Sequence, residues 1–149
     1  MPKTAILYRS PHHGNTKKLI NAIAKAHADV TLVKAGEDSF DPSRFDVIGF
    51  ASGVYAGRLH RSVHKALNEL GGDGRKGFVI YTCGDTAGEK YGKRFLDALA
   101  EKGFTPCGFY WCLGHDSFGP LRLVGGIHKG RPNADDIQGA VDFYDGMIC

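Results

Sequence analysis

Cysteine is scarce in this 149-residue sequence: Cys83, Cys107, Cys112 and Cys149, with no C-x-x-C pair and no compact spacing. That pattern excludes a disulfide framework and the usual zinc modules, and reduced thiols in a cytoplasmic setting are expected. Runs of like charge are missing as well. The net charge is +3, and Lys17-Lys18, Arg75-Lys76 and Lys93-Arg94 are isolated basic pairs, so a nucleic-acid partner is not expected. The longest apolar stretches, around 47–57 and 103–114, are too short to span a bilayer and are broken by glycine. The apolar run Thr4 to Tyr8 is too short for the core of a secretory leader. A cytoplasmic protein without membrane insertion is the expectation. Among the seven histidines only His60 and His64 stand at helical spacing, and no third metal ligand lies nearby. A surface pair without metal is expected there. The chain carries neither G-x-G-x-x-G nor a Gly-Lys-Ser/Thr ending, which argues against dinucleotides, ATP and GTP at a strand-to-helix turn. No Ser/His/Asp or Cys/His arrangement has a recognisable spacing, so acyl transfer has no support.

Hydrophobic residues make up 42% of the chain and aromatics 11%, which excludes disorder. Glycine is present in excess, with 21 residues, about twice the usual share. The length suits one domain, 1–149, and no internal repeat or linker divides it. Strands are predicted over 3–9, Val30 to Val33, Val47 to Ala51, Phe78 to Thr82 and 105–113. Helical spacing links Leu19, Ile20, Ile23 and His27, then Val63, Leu67 and Leu70 before the stop at Gly71-Gly72, then Tyr91, Phe95 and Leu99 before Gly103. The last helix opens at Pro132-Asn133 with Asn133 as N-cap, Asp135 and Asp136 in its first turn, and the stripe Ile137, Val141, Tyr144, Ile148. Region 36–45 is short and contains Pro42, so a turn or one-turn helix is expected there. Apolar strands alternating with amphipathic helices imply a parallel sheet covered on both faces. In such sheets ligands bind beyond the carboxyl ends of the strands, where the strand order reverses.

Three loops therefore matter. Ser10-Pro11-His12-His13-Gly14-Asn15-Thr16 runs into a helix, and its hydroxyls, amide and free N–H groups at a positive helix end suit a phosphate. An ordinary cap by Asn15 or Thr16 is the competing reading. Ser52-Gly53-Val54-Tyr55-Ala56-Gly57 is uncharged and offers a tyrosine that can stack on a flat ring or cap the core. Thr82-Cys83-Gly84-Asp85-Thr86-Ala87-Gly88, with Tyr91 one turn later, has small residues suited to close approach by a planar ligand; a turn capped by Asp85 or Thr86 is the alternative. Cys83 is expected to be a small apolar filler.

These residues resemble a known family. The turn ending Gly14-Asn15-Thr16 is similar to the FMN phosphate loop of flavodoxins. The segments Ser52 to Gly57 and Thr82 to Gly88 resemble the two loops that clasp the isoalloxazine ring there. The stretch Cys112-Leu113-Gly114-His115-Asp116-Ser117-Phe118-Gly119-Pro120, with Gly125-Gly126 and Gly130-Arg131-Pro132-Asn133, resembles flavodoxin-like proteins of bacteria and archaea. The length matches the short-chain form. Three features depart from the pattern: the paired histidines lengthen the phosphate turn by one residue, the balance is basic where electron carriers are typically acidic, and region 36–45, where a second helix would lie, is short and contains Pro42.

The resemblance implies a flavodoxin-like three-layer sandwich whose five-stranded parallel sheet has the order 2-1-3-4-5. It implies non-covalent FMN, with the 10–16 turn at the phosphate and Ser52 and Thr82 near the ribityl chain. It places Tyr55 in a stack with the ring, Gly84 and Asp85 on the pyrimidine side, and Ala56-Gly57 where a peptide reorients towards the flavin N5. The chemistry implied is electron transport with redox partner proteins or a small acceptor, by a monomer or weak dimer. A flavin-dependent NAD(P)H or quinone reductase, and a binding module that has lost the flavin, are the competing functions.

Overall fold

The computed structural model describes residues 2–11, 14–114 and 130–148. Strands β1 (Thr4–Arg9), β2 (Val30–Lys34), β3 (Val47–Tyr55), β4 (Arg58–Leu59), β5 (Lys76–Cys83) and β6 (Thr105–Leu113) alternate with helices α1 (Asn15–Ala26), α2 (Arg61–Glu69), α3 (Glu89–Glu101) and α4 (Ala134–Ile148). The sheet order is β2-β1-β3-β5-β6, and all of these neighbours pair in parallel. This is the expected order with one addition: β4 is a two-residue strand antiparallel to the end of β3. The region before β3 holds a single 3-10 turn, Pro42–Arg44, in which the Asp41 carboxylate accepts from the Ser43 N–H at 3.0 Å.

Alternate side chains of each strand enter opposite cores, as the pleat requires. Ala5, Leu7, Ile48, Phe50, Val79 and Tyr81 face Val63 and Leu67 of α2 and Phe95 and Leu99 of α3. Ile6, Tyr8, Phe78 and Ile80 face Leu19, Ile20 and Ile23 of α1 and Ala140 and Tyr144 of α4. Two covered faces explain why the central strands read as continuous apolar runs. Among the described side chains of α4 the fully buried ones are Ala140 and Tyr144, with Ile137 and Val141 at the margins of the expected stripe; the Ile148 side chain lies outside the described residues. Asn133 and Asp136 form a reciprocal cap at the start of α4. The Asp136 N–H donates to Asn133 Oδ1 at 2.9 Å and the Asn133 N–H to Asp136 Oδ2 at 2.8 Å. Burial pushes the Asp136 carboxyl up, but the hydrogen bonds from Arg131 and Asn133 outweigh it and hold the group below the usual range.

Between β5 and β6 the register shifts after Gly77, where Cys107 is skipped and bulges from the edge strand. Cys107 and Cys112 are free thiols, and burial pushes the Cys112 thiol up to about 12. Cys149 lies outside the described residues. Among the described residues no helix is long and apolar enough to cross a membrane.

Candidate functional site

At the end of β1 the chain turns into α1 through Gly14, whose φ of +63° lies in the left-handed region that glycine tolerates. The cap of α1 is neither of the residues in the competing reading, Asn15 or Thr16. Gly14 occupies the N-cap position without a side-chain bond, and the Ser10 hydroxyl accepts from the Lys17 N–H at 3.2 Å. Thr16 is fully buried, its hydroxyl 2.8 Å from that of Thr82, so the first turn of α1 is tied to the end of β5. Asn15 is buried to 6% exposure and packs against Gly114, where a Cβ would stand 2.7 Å from its Nδ2. His12 and His13 lie outside the described residues.

The second segment is strand rather than loop. β3 continues to Tyr55, pairs Val54 with Leu59 and Tyr55 with Arg58, and reverses through Ala56 (φ +50°) and Gly57 (φ +79°). Two positive φ values in a two-residue connection are the signature of the hairpin turn that matches strand twist. Ser52 is fully buried below this hairpin and does not line the cleft. Its hydroxyl donates to the Gly53 carbonyl at 2.6 Å and accepts from the His60 N–H at 2.8 Å. His60 in turn caps α2, its Nδ1 accepting from the Ser62 N–H at 3.1 Å, while its ring meets Tyr55 edge-on at 5.6 Å. His60 and His64 are thus half-buried structural groups and not a surface pair; His64 packs on Phe95 at 5.5 Å. Burial, then the charges of Arg9 and Arg61, hold the His60 imidazole below its ordinary range. Burial and Arg58 do the same for His64.

The third segment is anchored from beneath. The buried Tyr81 hydroxyl donates to the Gly88 carbonyl at 2.5 Å and accepts from the Gly92 N–H at 2.8 Å, clamping the start of α3 to β5. Burial raises the Tyr81 phenol far above its ordinary range. Gly88 takes the N-cap position of α3, so the alternative of a cap by Asp85 or Thr86 does not hold. The Asp85 carboxylate instead accepts from the Ala87 N–H at 2.8 Å and the Tyr91 hydroxyl at 3.2 Å, and pairs with Lys90 at 3.2 Å. The Ala87 N–H first, then Lys90 and Tyr91, hold the Asp85 carboxyl below the usual range. A Cβ on Gly88 would stand 2.6 Å from Cys83 Sγ and 2.8 Å from the Trp111 ring, so this glycine serves packing. Cys83 is 5% exposed and packed in that core, and its thiol donates to the Asp85 carbonyl at 3.3 Å.

The three segments meet in one cleft at the carboxyl end of the sheet, lined by Ser10, Asn15, Gly53, Val54, Tyr55, Ala56, Gly57, Thr82, Cys83, Gly84, Asp85, Tyr91 and Gly114. It lies where connections leave β1 and β3 in opposite directions, the switch point of the strand order. Gly114 was not foreseen as part of it. It follows directly on β6 and its N–H donates to the Cys83 carbonyl at 3.0 Å, which brings the two strand ends together. His115 and Asp116 lie outside the described residues. The lining is neutral and small apart from one carboxylate and two tyrosines, and among the described residues no group of histidine, cysteine and acidic side chains could hold a metal.

A doubly wound α/β protein with a neutral slot at its switch point and a helix N-terminus beside it defines a class that binds flat, phosphorylated ligands. The chain belongs to the flavodoxin family: a flavodoxin domain model matches residues 5–104. It is 37% identical over 149 residues to an uncharacterised protein of Methanocaldococcus jannaschii, covering 98% of each chain. Its fold is that of oxidised flavodoxin 1 from Bacillus cereus (TM-score 0.70, 17% identity, 97% of both chains). It is also similar to a flavoprotein from Lactobacillus acidophilus NCFM solved in complex with FMN (TM-score 0.61, 20% identity, 74% of this chain and 93% of that one).

Proposed function

We propose that this chain binds FMN non-covalently in the cleft and carries electrons between redox partners. The observation that carries the reading is the convergence of the α1 turn, the β3–β4 hairpin and the β5–α3 segment on a single slot at the switch point. The donor set fits the cofactor. The α1 N-terminus has no acidic residue in its first turn, and Ser10 and Asn15 stand beside it, which suits a dianionic phosphate. Tyr55 and Tyr91 border a neutral slot that suits a planar ring, and Thr82 offers a hydroxyl between the two ends. FMN is the cofactor that family and cleft both call for, and when bound it supplies reversible one- and two-electron chemistry. The chain's own part is to bind, orient and desolvate. Gly14, Asn15 and the 10–16 turn hold the phosphate, Gly53 to Gly57 cover one side of the ring, and Gly84 and Asp85 face its polar edge. Thr16 and Ser52 act one step back, through Thr82 and through the hairpin.

The purified protein is expected to show flavin absorbance, or to gain it on adding FMN, and to bind riboflavin at least about tenfold more weakly because the helix-end phosphate contacts are lost. A colourless protein that takes up no FMN overturns the reading. Oxidation of NAD(P)H with a quinone and no partner protein identifies a reductase instead.

A further inference from the structure

On the outer side of Tyr55 lies a second, shallower cleft, lined by Pro11, Tyr55, Arg58, Leu59, His60 and Arg61. It shares Tyr55 with the flavin cleft, so whatever fills it sits one aromatic ring from the proposed cofactor. Among the described residues its charge has no partner. Arg58 and Arg61 are exposed, and neither forms an ion pair among the described residues. No acid among the described residues lines the cleft; Asp85, in the adjoining cleft, pairs with Lys90 at 3.2 Å, and Glu37 pairs with Arg9 at 3.3 Å and Lys34 at 3.0 Å. Helix α2 begins at Arg61 with no acid in its first turn, which puts a cation on the positive end of the helix dipole. Lys17 and Lys18 repeat that arrangement on α1, and both are exposed. Burial first, and then Arg9 and Arg61 at His60 and Arg58 at His64, hold both imidazoles below their ordinary range. Each placement is locally unfavourable and becomes favourable when an anionic surface completes it. Arg58 of the hairpin and Arg61 at the start of α2 line this one cleft together.

We propose that this basic cleft receives an acidic side chain of a protein electron donor or acceptor, making the face around Arg58 and Arg61 a docking surface for an acidic redox protein. The proposal rests on the FMN reading for its purpose, but its test does not. An acidic ferredoxin serves as probe, titrated calorimetrically against the FMN-supplemented protein at low and high ionic strength. Binding is expected at low salt and is expected to fall away at high salt. R58E/R61E should weaken it by about tenfold or more. The control K25E/K102E makes the same change in net charge at the far ends of α1 and α3 and should leave binding within about twofold. Arg61→Glu also places an acid at a helix N-terminus, so thermal stability should hold or rise while binding falls, which misfolding cannot mimic. The proposal is overturned by an absence of binding at low salt or by equal losses in the two double variants. It is equally overturned if NADPH binding depends on Arg58 and Arg61 while ferredoxin binding does not. Flavin absorbance recorded on each sample reports separately on the cofactor, and its loss leaves the calorimetric result standing.

Discussion

Ala56 holds a left-handed backbone (φ +50°) at the exposed tip that lines the proposed flavin cleft, where glycine is the usual occupant. Such strain costs on the order of 1–3 kcal/mol and tends to be kept where function needs it. Ala56→Gly relieves the strain but gives the unfolded chain more freedom, so a net gain of up to about 1 kcal/mol is expected in urea unfolding. The same variant should shift the one-electron reduction potential of the bound flavin, because the Ala56-Gly57 peptide borders the cleft. A stability gain with unaltered potentials removes the peptide from the redox role. His60 supplies the second prediction at this scale. Its neutral Nδ1 caps α2, and its folded-state pKa lies below the unfolded one. The unfolded chain therefore takes up the proton first as pH falls below about 6.5, and the stability that the neutral imidazole contributes is lost as pH drops through the folded value. The urea midpoint should fall from pH 7 to pH 5, and His60→Asn, which keeps a capping acceptor without titrating, should flatten that fall.

At the level of elements, Tyr81 joins β5 to the first turn of α3 through two backbone groups. Tyr81→Phe leaves a buried carbonyl and a buried N–H without that partner and should cost about 1–3 kcal/mol in denaturant unfolding. The loop from Gly84 to Gly88 hangs on the same clamp, so FMN affinity should fall with it; a stable variant with full FMN affinity would show that the loop holds itself. The elements were legible because each strand and helix carries its own period, and even the single turn at Pro42–Arg44 follows from local chemistry. Caps were harder to read. The side chain that caps α1 comes from Ser10 before the turn, and α2 is capped by a histidine, a residue not usually expected in that role. The extension of β3 through Ser52 and Gly53 was illegible for a different reason. Glycine disfavours strand locally, whereas the pairing of Gly53 with Thr82 that makes it strand is non-local.

Across the whole molecule, the two ends of the described chain meet in the core, where the buried Tyr144 hydroxyl donates to Thr4 Oγ1 at 2.6 Å across a separation of 140 residues. Tyr144→Phe should lower stability by about 1 kcal/mol, read as a shifted urea midpoint with an unchanged slope; a changed slope would mean that α4 detaches separately. Most of the site was legible as three loops because doubly wound sheets gather strand ends at one place. What was missed, Gly114 behind Asn15 and the buried positions of Thr16 and Ser52, depends on which strand end lands beside which. The skipped residue in β6 has a further consequence. Among the described residues β6 is an outer strand of the sheet, and its opening residues Thr105, Pro106 and Cys107 are exposed. A proline that cannot donate, followed by a residue pushed out of register, spoils this border as a template for another strand. An electron carrier of the kind proposed above must meet many molecules of its own kind without joining them, and here that protection is built into the backbone of a single strand.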